Sequence, residues 1–270
     1  MSHTQAIIDE CIPLIRPLAV GRYAISIGGS HGKRLFDELS DVDFRLFCDD
    51  MLAGAGITET AEWKAFSKAV DRWREKGVNI DYCWVRTVRE IDEQLDGWFS
   101  GKVSPVELVW AMWGYHLLTD LANQVILEDP FGLIAEWQAR LTPYPRVIQR
   151  AIIQKHLESL KYWRTDYHYR SKVERGDAVF LASMAARLVH DMMQVLFALN
   201  ETYYCGDGNN LRYTAKFAIL PERFSSRVQN ILYPISSEYV YGEQYQAITS
   251  LVDEVVALAE KHALHLGAVS

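Results

Sequence analysis

An apolar run, Tyr23-Ala24-Ile25-Ser26-Ile27, is cut off by Gly28-Gly29-Ser30, and after ten further residues the chain resumes with Asp41-Val42-Asp43. The run is short, apolar and ended by two glycines, which predicts a strand followed by a tight turn. From Asp41 to Leu46, charged Asp41, Asp43 and Arg45 alternate with apolar Val42, Phe44 and Leu46. That period of two predicts a second strand with one polar face. Ser30 is placed to cap a short helix that ends near Leu39. A strand, turn, helix, strand unit therefore opens the chain and constrains everything built on it.

Around this unit the pattern continues to mix periods. Residues 4–12 read as a short amphipathic helix that Pro13 and Pro17 should stop. Ala61 to Lys76 carries Trp63, Phe66, Val70 and Trp73 at spacings of three and four, hence a helix, with Gly77 as its stop. Val78 to Val85 returns to strand character, with Asp81 between Ile80 and Tyr82. Residues 87–98 and 104–121 read as helices, Gln124 to Glu128 as a short strand, and Asp129-Pro130 as the opening of another helix. Texture changes at Thr142-Pro143-Tyr144-Pro145, beyond which no strand is predicted. Residues 146–170, 177–199 and 242–266 read as helices, the second apolar almost all round and capped by Asp177. The expected fold class is α+β: a small mixed β-sheet domain with flanking helices over residues 1–140, then an all-α helical bundle over 141–270.

Composition narrows the function classes. The chain has 270 residues, 49% hydrophobic and 23% charged, as a folded domain pair would. Its net charge is -7, with a sequence pI of ≈ 5.6. No basic tract dominates, which argues against nucleic acid as partner and suits a neutral or cationic small molecule. Cys11, Cys48, Cys83 and Cys205 form no CxxC pair and read as reduced, packed thiols. No apolar run approaches the ~20 residues of a membrane span, and no leader pattern opens the chain. A cytoplasmic location without membrane partner is the expectation.

The chemistry resides in the first unit. Side chains two apart on a strand share a face, so Asp41 and Asp43 converge. Magnesium takes hard oxygen ligands, usually one or two carboxylates plus substrate phosphates. Asp81, between apolar neighbours on a later strand, is the candidate third acid, and Glu107 is the reserve. Without a cation such a cluster is self-repelling. Gly28 and Gly29 let backbone approach a ligand, Ser30 adds a hydroxyl, and amides at the following helix start would favour phosphate. Lys33 and Arg34 either neutralise phosphate or are solvated surface. Arg45 either contacts phosphate or pairs with a carboxylate.

Strand, Gly29-Ser30, spacer, Asp41-x-Asp43 and a later strand acid, Asp81, resemble the DNA polymerase β-like nucleotidyltransferase superfamily. A small catalytic domain before a helical bundle is similar to the bacterial antibiotic nucleotidyltransferases of the kanamycin, streptomycin and lincosamide kind, and so to antibiotic-resistance enzymes. The motif spans only Ile27 to Asp81. The resemblance implies a Mg2+-dependent transferase with Asp41, Asp43 and Asp81 as catalytic and metal-binding residues and two magnesium ions. Gly28, Gly29, Ser30, Lys33 and Arg45 would bind ATP or another nucleoside triphosphate. A nucleoside monophosphate, AMP in the first instance, would pass to a hydroxyl of a small-molecule acceptor, such as an aminoglycoside, with release of pyrophosphate. Asp81 would bind the catalytic metal or act as base, and Glu107 is an alternative base, since several relatives use a glutamate. Competing readings are a relative that modifies a protein side chain (AMPylation or antitoxin-like), a non-catalytic nucleotide-binding module, and a polymerase disfavoured by charge.

In the helical half, Tyr203, Tyr204 and Asp207 could line an acceptor pocket or merely connect two helices. His190-Asp191 reads as a hydrogen-bonded core pair. Tyr162, Trp163, Tyr167 and Tyr169 read mostly as core and bundle surface.

Overall fold

The computed structural model describes residues 3–34, 36–37, 40–103, 114–206, 210–235 and 239–263. The chain divides into two compact units, Met1–Gly97 with Leu117–Pro143, and Trp98–His116 with Tyr144–Ser270. Residues 98–116 thus group with the C-terminal unit.

The first unit contains α1 (His3–Ile15), β1 (Ala19–Ile27), α2 (Gly29–Gly32), β2 (Val42–Met51), α3 (Ala61–Glu75), β3 (Ile80–Thr87), α4 (Val88–Phe99), α5 (His116–Asn123), β4 (Val125–Glu128) and α6 (Leu133–Leu141), with the ends of α4 and α5 reaching into the second unit's segment. Its sheet is mixed, in the order β3-β2-β1-β4. β1 is antiparallel to both β2 and β4, and β2 runs parallel to β3. The expected α+β class and small mixed sheet are what the structure shows.

Strand alternation sorts the two faces of the sheet. Ile25 and Ile27 of β1 and Val42, Phe44, Leu46 and Cys48 of β2 join Ile7, Cys11 and Ile15 of α1 and Phe66 and Val70 of α3 in one apolar core. On the other face Phe47 meets Trp137 of α6 edge-on at 5.1 Å. That second face is not purely apolar: Ser26 and Arg45, register partners on β1 and β2, are both buried there. Helix ends follow their caps. Thr60 accepts the Trp63 amide at 3.2 Å to start α3, and Asp129 accepts the Leu133 and Ala135 amides to start α6.

Two helix expectations change in this unit. α1 runs through Pro13 to Ile15, because Cys11, Ile15 and Leu18 are all fully buried and their packing outweighs the missing amide donor. The helix expected after a Ser30 cap is a single turn, Gly29–Gly32: Gly28 sits at its cap, Ser30 lies inside it, and it ends at Gly32, where a side chain would meet the Asn123 carbonyl at 2.7 Å.

The second unit holds α7 (Arg146–Thr165), α8 (Tyr167–Arg175), α9 (Ala178–Leu199), α10 (Asn210–Thr214), α11 (Phe224–Leu232) and α12 (Val240–Ala263), with no strand among the described residues. The single helix expected over 146–170 is two. Asp166 turns out of helical geometry and caps α8 through the Tyr169 amide at 3.1 Å. α9 packs against α7, α8, α11 and α12. It is long and apolar enough on average to cross a membrane, against the sequence expectation that nothing here is. In the structure 61% of its most apolar window is buried inside the protein, so it serves as the central helix of the unit. All four cysteines are buried, and none forms a disulfide.

Candidate metal centre

The end of β1 and the start of β2 lie side by side. The Gly28 amide donates to the Asp43 carbonyl at 2.9 Å, extending the β1–β2 ladder by one residue. The turn Gly28-Gly29-Ser30 is therefore held beside Asp43. Gly29 takes a left-handed φ of +56°, and a Cβ there would collide with the Asp43 carboxylate. Only glycine lets the two approach. The Ser30 hydroxyl oxygen is buried and has no hydrogen-bond partner among the described residues.

Asp81 arrives from β3 by a bulge. Val42 pairs with Ile80, but Phe44 pairs with Cys83, so Asp81 and Tyr82 together oppose Asp43. Tyr82 absorbs the extra residue with a φ of +43°. α3 holds the bulge: the Trp63 ring stacks on Tyr82, and Arg74 donates to the Tyr82 hydroxyl at 3.2 Å and to the Ile80 carbonyl at 3.0 Å. The bulge keeps Ile80 and Cys83 in the core while Asp81 stands beside Asp43 on the polar face.

Asp41, Asp43 and Asp81 can bring one carboxylate oxygen each within 4.8 Å of one another. Asp41 and Asp43 are half-buried and Asp81 is exposed. Burial pushes the Asp43 carboxyl up to about 6; the Arg45 guanidinium opposes that shift, and Asp41, Asp81 and Asp120 add to it. A buried acid crowded by like charges is the environment that a divalent cation relieves. The donor set is all hard oxygen, as magnesium or manganese prefers.

Beneath the turn lies a buried polar network that the sequence did not disclose. Arg45 donates through Nε to Asp120 Oδ2 at 3.1 Å and through Nη2 to Asp120 Oδ1 at 3.4 Å. Its Nη1 donates to the Phe44 carbonyl at 3.2 Å and lies 3.7 Å from Asp43 Oδ1. Gln124 donates to Asp120 Oδ2 at 2.9 Å, and Ser26 donates to Gln124 at 2.7 Å. The Trp84 ring lies 5.0 Å from the Arg45 guanidinium carbon. Of the two expectations for Arg45, carboxylate pairing is the one observed. Its guanidinium is buried and bonded to Asp120 from within. Asp120 and Gln124 sit four apart on and just beyond α5, a spacing that puts them on one helix face, but nothing local marks that face as polar core.

The remaining expected residues scatter. Lys33 closes the turn, its amide bonded to the Gly29 carbonyl at 3.3 Å, and Arg34 is exposed. Glu107 and Asp207 lie outside the described residues. In the helical unit Tyr203 stacks on Tyr144 at 4.5 Å and Tyr204 packs edge-on against Phe197. His190 and Asp191 do not pair. Asp191 instead accepts from Ser159 at 2.7 Å and bonds His156 Nδ1 at 2.6 Å, and the Tyr115 hydroxyl bonds His156 Nε2 at 2.8 Å. Burial, and His156 next to it, push His190 down to about 4. Adjacent helical residues diverge in direction, which is why sequence adjacency misled here.

A family model described as a domain of unknown function (DUF4037) matches residues 110–207. No curated protein matches the chain. The matched stretch includes Asp120, Gln124 and the His156–Asp191 pair and excludes the three clustered aspartates. The small mixed sheet with flanking helices is compatible with a nucleotidyltransferase-like fold.

Proposed function

We propose that this protein is a divalent-cation-dependent nucleotidyltransferase that moves a nucleoside monophosphate, AMP from ATP in the first instance, onto a hydroxyl of a small molecule. One observation carries the reading: Asp43 of β2, Asp41 just before it and Asp81 of β3 converge beside a glycine turn whose Ser30 hydroxyl is buried with no partner among the described residues. The glycine cradle, the unpartnered hydroxyl and the all-oxygen donor set fit a metal-bound triphosphate.

Asp41, Asp43 and Asp81 would hold the cations, which supply charge neutralisation and polarisation of the α-phosphorus. Gly28 and Gly29 let the turn pack directly against Asp120 and Asp43, and Ser30 has a hydroxyl to offer phosphate. Asp81, the exposed member, is open to solvent and can accept the proton of the attacking hydroxyl. The new bond joins that oxygen to the α-phosphorus. The bond from the α-phosphorus to the bridging oxygen breaks, and pyrophosphate leaves. Positioning and charge neutralisation account for most of catalysis in such transfers, so few side chains suffice. The net charge of -7 favours a neutral or cationic acceptor, an aminoglycoside-like polyol among them.

The test uses ATP labelled at the α- or the γ-phosphate, Mg2+, and a panel of aminoglycosides, lincosamides and simple polyols. The expected result is α-label on an acceptor, γ-label in pyrophosphate, and loss of both with Asp41→Asn or Asp43→Asn. Transfer of γ-label, or Mn2+ binding unaffected by both substitutions, overturns the reading. Label on a copurifying protein replaces the small-molecule acceptor with a protein side chain.

A further inference from the structure

We infer that Asp120 is a positioning residue for Asp43, acting through Arg45. It holds the guanidinium back from Asp43 and so leaves that carboxylate free to ligate a cation. The inference rests on reading the acidic cluster as a divalent-cation site and deepens that reading by one layer of residues.

The geometry divides the guanidinium into two edges. Nε and Nη2 face Asp120, with hydrogen bonds of 3.1 and 3.4 Å. Nη1 faces the Phe44 carbonyl and stops 3.7 Å short of Asp43 Oδ1. A charge-assisted contact would close to about 2.8 Å. Arg45 thus holds Asp43 only as a long ion pair and does not close onto it in a hydrogen bond. The reason lies on the opposite side: Asp120 is itself fixed by Gln124, which Ser26 fixes in turn. Both ends of the Arg45–Asp120 pair are buried, so the pair exchanges poorly with water.

Without the Asp120 charge, the strongest remaining anion within reach of Arg45 is Asp43. A guanidinium closed onto Asp43 would occupy a ligand oxygen and cancel its charge. A residue that orients a metal ligand from behind in this way typically contributes about tenfold to a hundredfold in affinity. The Gly28 backbone seals the arrangement, since a Cβ there would lie 2.6 Å from Asp120 Oδ1 and 3.2 Å from the Arg45 guanidinium carbon. The turn, the arginine and Asp120 therefore form one packed layer under the site.

The experiment measures Mn2+ affinity of the full chain by electron paramagnetic resonance, with folding checked by thermal unfolding. Asp120→Asn should weaken Mn2+ binding by about tenfold or more. The double variant Asp120→Asn with Arg45→Gln should bind near the wild-type level, because the guanidinium that captured Asp43 is gone. Asp50→Asn, exposed at the far end of β2, removes one negative charge without touching the network and should leave affinity close to wild type. A structural role alone would leave the double variant as weak as, or weaker than, the single one, and that result overturns the inference. So does an Asp120→Asn protein that binds Mn2+ like wild type. Should the variants fail to fold, the Arg45 Nε–H resonance of the wild-type protein decides. It should stay in place on saturation with Mg2+, and movement onto a new partner overturns the inference. Wild-type protein that binds no Mn2+ sinks the cation-site reading itself, and the inference with it.

Discussion

Gly29 and Asp43 compete for one small volume: a Cβ at position 29 would overlap the Asp43 carboxylate, and the Gly29 φ of +56° already disfavours any other residue. Gly29→Ala should therefore destabilise the protein by at least about 1 kcal/mol in urea unfolding. It should also displace Asp43 and cut Mn2+ affinity sharply. Gly54→Ala, with an equally left-handed φ of +52° and open space around it, is the control that keeps only the backbone cost.

The raised Asp43 carboxyl makes a pH prediction. It titrates from 3.8 in its ordinary state to about 6 in the fold. Between those values the native protein holds the proton that the unfolded chain gives up. The group's contribution to stability is then fully present below about pH 4 and is lost as pH rises through about 6. Asp43→Asn removes this loss, so the melting temperature of the variant should gain on wild type from pH 4 to pH 7. Mg2+ should narrow the gap at pH 7 by stabilising ionised Asp43 in the wild type alone. Parallel melting curves for the two proteins across this range would count against the shift.

Tyr82 is held in its bulge from α3, so α3 reaches the site through β3. Arg74→Met removes the donor to the Ile80 carbonyl and the contact with Tyr82. The expected cost is about 1 kcal/mol of stability, from the hydrogen bond to the backbone. Mn2+ affinity should fall with it, since Asp81 depends on the bulge. Tyr82→Val should be worse than Tyr82→Gly, because a β-branched residue resists positive φ.

Asp191 in the helical unit joins two partners, His156 and Ser159. Asp191→Leu leaves both without their acceptor in buried or half-buried surroundings. The expected loss is about 1–3 kcal/mol for each orphaned group, read from the denaturant midpoint. Mn2+ binding by the aspartate cluster should be unchanged.

Much of the candidate site is legible in the amino-acid sequence. Gly28, Gly29, Ser30, Asp41 and Asp43 lie within one local unit, and strand periodicity alone puts Asp41 and Asp43 on a common face. Asp81 was legible as a strand acid between apolar neighbours, though not the bulge that aims it. Periodicity has no signal for an added residue whose place is set by pairing with another strand. Arg45 left two outcomes open, and only its partner could choose between them.

The amino-acid sequence by itself determined the mixed α+β first unit, the all-helical texture of the second, and the grouping of a glycine turn with two carboxylates. These follow from short-range rules: side-chain alternation, glycine freedom and capping chemistry act within a few residues. Tertiary structure alone decided that Asp120 holds Arg45, that Tyr82 bulges so that Asp81 stands beside Asp43, and that Asp191 pairs with His156 and not with its neighbour His190. Each of those is a contact between elements far apart in the chain. Its energy depends on burial and on which charges are brought together, and no local pattern encodes that.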